Sequence, residues 1–190
     1  MRSLILIGYR GTGKTTIARK LSEQLHIPVF DSDAEIERHT GKNIADIFAQ
    51  NGEAEFRNIE ESTIAEILKQ NMLNPFILAT GGGAILRPET RCRLKNAGHV
   101  VWLTATPKTI FQRIQFDPAS GTMRPNLTSL TPLEEIIALL EKRHPLYSET
   151  AHEIIETDLL KINEITNRIL SNYFNDTKLT FNDTELTKFS

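Results

Sequence analysis

The chain has 190 residues, of which 39% are hydrophobic and 24% charged, with a formal net charge of −2. This suits one ordinary globular domain with room for a small lid and excludes a chain too polar to build a core. No global basic field favours nucleic acid or an anionic membrane, the single Cys92 rules out an intrachain disulfide or a cysteine-built metal centre, and no apolar run reaches the about 18–20 residues of a membrane helix.

Met1-Arg2-Ser3 precedes only four apolar residues before Gly8, too few for a signal-peptide core. The cytosol is therefore the expected compartment. Without an obvious coiled coil or apolar tail, a monomer is the default.

Leu4 to Ile7 is a continuous apolar run that predicts a strand buried on both faces. From Lys14 to Leu25, Ile17, Ala18, Leu21 and Leu25 recur at helical spacing. Pro28 to Phe30 predicts a second strand, closing on Asp31-Ser32-Asp33. Ala34 to His39 predicts a helix stopped near Gly41, Ile44 to Ala49 a short helix, and Glu53 to Leu68 a longer one. Phe76 to Ala79 is a third apolar run, ending in Thr80 and the triple glycine Gly81-Gly82-Gly83.

His99 to Leu103 predicts a fourth strand, and Pro107 to Ile114 a helix with proline in its first turn. Phe116 to Thr131 holds Pro118, Gly121 and Pro125 and predicts a loop. Leu133 to Tyr147 predicts a helix interrupted or ended near Pro145, Ile154 and Ile155 a last short strand, and Ile162 to Leu170 the last core helix. The segment after about residue 172 is polar, Thr-rich and nearly repeated, so 173–190 is expected as a disordered or loosely packed tail, with an added edge strand as the alternative. Strands alternating with helices imply a mostly parallel sheet covered on both faces, with ligands at the carboxyl ends of the strands.

Gly8-Tyr9-Arg10-Gly11-Thr12-Gly13-Lys14-Thr15 fits the phosphate-loop pattern between a buried strand and an amphipathic helix. Glycines let backbone N–H groups approach phosphate oxygens, and the helix that follows presents its positive end to the same charge. Gly11, Thr12, Gly13, Lys14, Thr15 and Thr16 are thus nucleotide candidates. Lys14 can follow charge on the β- and γ-phosphates, and the Thr15 hydroxyl is placed to ligate Mg²⁺. Arg10 is left open between a solvated side chain and a lid contact.

The loop alone leaves kinases, GTPases and motor ATPases open. No N-K-x-D guanine element follows, nor a long apolar strand ending in paired acids. Asp31 and Asp33 instead stand two apart just past a strand end. One can serve Mg²⁺ while the other accepts hydrogen bonds, and a proton, from an acceptor hydroxyl. The alternative is that either simply caps the helix near Ala34.

The phosphate loop, Asp31-Ser32-Asp33, Gly52-Glu53-Ala54-Glu55-Phe56-Arg57, Thr80-Gly81-Gly82-Gly83, Arg124-Pro125 and Arg143-His144-Pro145-Leu146-Tyr147 occur together and in order. In this the chain resembles the shikimate kinase family from about Leu4 to Leu170. The resemblance implies an α/β phosphate-loop fold of the nucleoside-monophosphate-kinase type: three α/β/α layers, a five-stranded parallel sheet, a domain over 1–172 and a mobile lid at about 114–131. It implies ATP and shikimate as substrates, Mg²⁺ as cofactor, and shikimate 3-phosphate on the way to chorismate and aromatic amino acids as product.

It further implies that Asp31 is the magnesium-side acid and that Asp33 binds shikimate hydroxyls and helps the attacking oxygen lose its proton. Arg57 and Arg143 would hold the carboxylate, Gly81 and Gly82 would turn backbone N–H groups to the substrate, Arg124 would reach the phosphates from the lid, and Arg113 would pack on the adenine. Glu60, one turn after Arg57, can orient it or stand as a surface charge, and the surface reading is the one adopted. Two departures from the family pattern stand out: a longer stretch between Arg113 and Arg124, and Leu160 where some members place an arginine near the adenine, so that stacking there would be apolar.

Overall fold

The computed structural model describes residues 2–116 and 131–186, with side chains as far as residue 175 in the last helix. The strands are β1 (Ser3–Ile7), β2 (Val29–Asp31), β3 (Ile77–Ala79), β4 (Gly98–Thr104) and β5 (Glu153–Glu156). They form one sheet in the order β2-β3-β1-β4-β5, with every pair parallel. The helices are α1 (Lys14–Leu25), α2 (Ser32–Thr40), α3 (Ile44–Gln70), α4 (Pro88–Ala97), α5 (Pro107–Phe116), α6 (Pro132–Thr150) and α7 (Ile162–Leu186). None is long and apolar enough to cross a membrane.

The central position of β1 explains its unbroken apolar run. Leu4 and Leu6 face one core with α1 and α7, while Ile5 and Ile7 face the other with α3, α4 and α6. Both faces of a parallel strand must be covered, so alternation disappears. Each such side chain contributes about 1.5–3 kcal/mol by leaving water, and truncating one, as in Ile5→Ala, leaves a cavity costing about 2–5 kcal/mol.

Gly52 breaks α3 with φ 79 and ψ 174, so the two helices expected there are present and join at a kink. The first piece packs with α2 around Ile36, Ile44, Ile47 and Phe56, a small core of its own. Pro145 does not end α6, which continues to Thr150. A Thr131–Glu134 capping box starts this helix, and beyond the proline Tyr147 is buried against Trp102 in a stacked pair. That packing offsets the hydrogen bond the proline removes.

The last helix also runs further than expected. Ile165, Ile169 and Tyr173 continue one buried face, and the Tyr173 hydroxyl donates to the carbonyl of Arg2. The boundary expected near residue 172 therefore falls inside α7. Arg124 and the lid expected at 114–131, apart from the end of α5 and the cap of α6, lie outside the described residues.

Candidate active site

Every strand delivers a polar or glycine-bearing segment at its carboxyl end. The phosphate loop follows β1, Asp31 ends β2, Thr80 and the glycines follow β3, Thr106 follows β4, and Thr157-Asp158 follows β5.

Gly8 adopts φ 142, and a Cβ there would lie 2.2 Å from the Leu103 carbonyl oxygen on β4. The loop thus leaves the sheet through a space only glycine fits. Gly13 at φ 92 precedes α1 with no side-chain cap. The first N–H groups of α1 remain aimed at the loop, as an anion site requires. The loop arches over its own lysine: Lys14 Nζ donates to Gly8 O at 2.9 Å and Tyr9 O at 2.8 Å. Thr12 Oγ1 also donates to Tyr9 O, at 2.8 Å. Thr16 is exposed in the first turn of α1.

Arg113 on α5 reaches back to this loop. Its guanidinium donates to Gly11 O at 3.4 Å, to Thr157 Oγ1 at 2.9 Å and to Thr157 O at 2.8 Å. Asp158 accepts from the Thr106 N–H at 3.0 Å and from the Thr106 hydroxyl at 2.8 Å. Its burial raises the carboxyl pKa, but hydrogen bonds from Thr109 and Thr106 outweigh that and hold it below the ordinary range. Sequence reasoning missed this Thr106–Asp158 tie, although each residue stands two positions past the end of a strand. Leu160 is partly buried and packs against the core shared by α1 and α7. Leu159 is the exposed one, at 96%.

On the β2 side Thr15 Oγ1 donates to Asp31 Oδ2 at 2.7 Å. The other oxygen, Oδ1, accepts from Asp33 N at 3.1 Å and Ala34 N at 3.4 Å. Asp31 thus caps α2 with one oxygen and accepts from the loop threonine with the other. Among the described residues no cluster of three or more His, Cys, Asp or Glu could hold a metal. One hydroxyl and one carboxylate beside a phosphate loop fit Mg²⁺, which keeps water and takes phosphate oxygens rather than an all-protein cage.

The triple glycine makes space for charge. A Cβ on Gly81 would lie 2.5 Å from Asp33 Oδ1 and 2.6 Å from Glu60 Oε1. On Gly83 it would lie 2.3–2.4 Å from the Arg57 guanidinium. On Gly82 it would lie 3.3 Å from Arg10 N and 3.4 Å from Gly8 O, so this residue backs onto the phosphate loop. The N–H of Gly81 does not face a substrate, because it donates to the buried Ser32 hydroxyl at 2.8 Å. Ser32 thereby ties the acidic turn to the glycines, which corrects the role expected for the Gly81 N–H.

Glu60 is not a surface charge. It is 2% exposed and accepts from Arg57 Nη1 at 2.5 Å. Arg57, 6% exposed, also donates from Nη2 to Glu53 at 3.1 Å and lies over the Phe56 ring at 5.1 Å. Burial pulls the Arg57 pKa down, but Glu60 and then Glu53 outweigh that and raise it, so the guanidinium stays charged. Arg143, 8% exposed, donates to Gly82 O at 3.3 Å and lies over the Tyr9 ring at 5.7 Å. Tyr147, one turn on, donates to the same carbonyl at 2.6 Å. The structure thus brings Asp33, Arg57, Gly81, Gly82 and Arg143 together beside Lys14, Thr15 and Asp31, with Glu60, Ser32 and Tyr147 added.

The family model described as Shikimate kinase matches residues 10–173. A shikimate kinase of Burkholderia pseudomallei (strain 1710b) is 44% identical over 168 residues, 88% of each chain. The solved shikimate kinase from Acinetobacter baumannii, in complex with shikimate, is 36% identical with a TM-score of 0.83, covering 93% of this chain and 94% of that one. A gluconokinase structure from Sinorhizobium meliloti 1021, 13% identical with a TM-score of 0.60 over 96% of this chain and 97% of that one, shares the fold alone. Matched along nearly its whole length by that family model, and carrying an acid, two arginines and three glycines beside a phosphate loop, the chain belongs to the shikimate kinase family.

Proposed function

We propose that this chain transfers the γ-phosphoryl group of ATP to the 3-hydroxyl of shikimate, with the residues above in specific roles. The observation that carries the reading is the position of Gly82. Its α-carbon backs onto Gly8, Tyr9 and Arg10, while its carbonyl accepts from Arg143 and Tyr147. A ring acid held by the arginines therefore sits beside the γ-phosphate end of the loop, as in-line transfer needs.

Arg57 and Arg143 bind the carboxylate, which a planar guanidinium suits. Asp33 aligns the 3-hydroxyl and accepts its proton as the new oxygen–phosphorus bond forms. Lys14 exchanges the carbonyls of Gly8 and Tyr9 for phosphate oxygens and neutralises charge on the transferring group. Thr15 and Asp31 hold Mg²⁺, which offsets charge on the β- and γ-phosphates when bound. Arg113 holds the loop edge at Gly11 and packs on the adenine. Arg124 joins Lys14 in neutralising charge on the transferring group. The enzyme works as a monomer with no nucleic-acid or membrane partner.

Coupled ADP release with ATP·Mg²⁺ tests the reading. Shikimate is expected to support turnover and gluconate to support none. Turnover of gluconate or another polyol without turnover of shikimate would overturn it.

A further inference from the structure

Arg143 and Arg57 reach the acceptor site from different helices, α6 and α3. The peptide joining Gly82 to Gly83 lies between them. Its carbonyl accepts from Arg143 at 3.3 Å and Tyr147 at 2.6 Å. At its other end, the α-carbon of Gly83 lies so close to the Arg57 guanidinium that no Cβ would fit. A trans peptide is rigid, so the direction of its carbonyl fixes the direction of its N–H and the positions of both α-carbons. Whatever holds that carbonyl sets where the two guanidinium groups stand relative to each other.

The shorter of the two bonds comes from Tyr147. Its ring is fully buried, stacked on Trp102 of β4 with centroids 5.3 Å apart and planes at 16°. Trp102 in turn meets the edge of His144 at 5.0 Å. A stacked, buried phenol has one usable hydroxyl position, and here it points at Gly82. Tyr147 and Arg143 thus share the Gly82 carbonyl, and Tyr147 holds it from the rigid sheet side.

We propose that Tyr147 is a positioning residue for the acceptor carboxylate: through the Gly82 carbonyl and Arg143 it sets the spacing of the two arginines that grip that group. The proposal rests on the phosphoryl transfer to shikimate argued above. It requires that the hydroxyl matter only for acceptors that carry the charge.

The test is Tyr147→Phe, which keeps the stacked ring and removes one oxygen. Kinetics are measured with shikimate and with its neutral carboxamide, at saturating ATP, alongside the KM for ATP and a thermal melt. The KM for shikimate is expected to rise up to about tenfold, the upper end of the range for one lost neutral hydrogen bond. The KM for the carboxamide and for ATP should stay within about twofold of wild type, a margin of about 0.4 kcal/mol. An equal loss on both acceptors would mean a merely structural role and overturn the proposal, as would no loss on either.

Trp102→Phe keeps an aromatic face and the Tyr147 hydroxyl, so its preference for the carboxylate should match wild type; erosion of that preference would assign the effect to packing. A Tyr147→Phe, Arg143→Lys double variant should lose less than the product of the single losses, because both act through one contact, and full additivity would also overturn the proposal. Failure of the activity itself would show separately, as a wild-type enzyme that does not phosphorylate shikimate.

Discussion

Gly83→Ala isolates one structural claim, that the third glycine exists to admit the Arg57 guanidinium. The backbone at Gly83 has φ −104 and ψ −1, open to any residue, so the substitution brings no conformational strain. Its Cβ would stand 2.3–2.4 Å from three atoms of the guanidinium. Ordinary contact begins near about 3.5 Å, so the group must retreat by about 1 Å. That retreat breaks the 2.5 Å bond to Glu60 and loosens the 3.1 Å bond to Glu53.

Because the guanidinium ends a flexible side chain, the fold should lose only about 1–2 kcal/mol, roughly one charge-assisted hydrogen bond. The site should lose more: a misplacement of about 1 Å can cost up to about a hundredfold. Coupled ADP release should therefore show the KM for shikimate raised about 10- to 100-fold and the KM for ATP nearly unchanged. Gly41→Ala is the control. It meets nothing within 4 Å but has φ 66, so it should lower the melting temperature, by about 1–2 kcal/mol of strain, without moving either KM. A Gly83→Ala enzyme with the wild-type KM for shikimate would refute the assignment of Arg57 to the carboxylate.

Asp33→Asn should lower turnover by about 10²–10⁴-fold, the range for a lost general base, while ATP binding by titration and the melting temperature stay near wild type; an active variant would remove Asp33 from its role. Chelating Mg²⁺ should abolish turnover, and Asp31→Asn, which still caps α2, should raise the Mg²⁺ needed for half-maximal rate by about tenfold or more; an unchanged Mg²⁺ titration would place the ion elsewhere. The Tyr147 phenol is pushed up, first by burial and against the pull of Arg143. Above the ordinary tyrosine pKa of about 10 the unfolded chain loses this proton and the folded chain keeps it, so stability should be full below about pH 10 and fall by up to about 1.4 kcal/mol per pH unit above it. Denaturant unfolding between pH 8 and 11 would show this slope, and Tyr147→Phe should reduce it.

The strands, the phosphate loop and most helices are legible in the chain because their signals are local. A doubly buried strand is a run of apolar residues, and Ile17, Ala18 and Leu21 recur as a helix requires. α4 is not legible in this way, since only Thr90 and Leu94 of its ten residues are buried. The end of α7 is hidden because its buried face is sparse, with Tyr173 standing four residues after Ile169 in a polar stretch. Candidate site residues are legible where a motif names them, and their partners are not. Nothing near Glu60 in sequence says it is buried, because Gly81 and Gly83, which make its surroundings, arrive more than twenty residues later. Ser32 likewise gains its meaning from the Gly81 N–H, 49 residues away.

Charge balance separates the two arginines that a motif treats alike. Arg57 stands against Glu60 and Glu53, so its charge is answered by the protein. Arg143 is equally buried, yet among the described residues no acid is ion-paired with it; it has a carbonyl and an aromatic face. A buried cation without a counter-ion costs several kcal/mol, and a carbonyl and a ring recover only part of that. The remainder is available to a ligand anion. On the proposed assignment, a ring carboxylate between the two helices would therefore meet unlike partners. Arg143 would supply a charge that no acid among the described residues pairs with, while Arg57, held by its own acids, would supply a fork whose direction is already set. Glu60 and Glu53 fix the geometry of Arg57 and would weaken its attraction for an anion, so the proposed site would discriminate by where the carboxylate sits as much as by its charge.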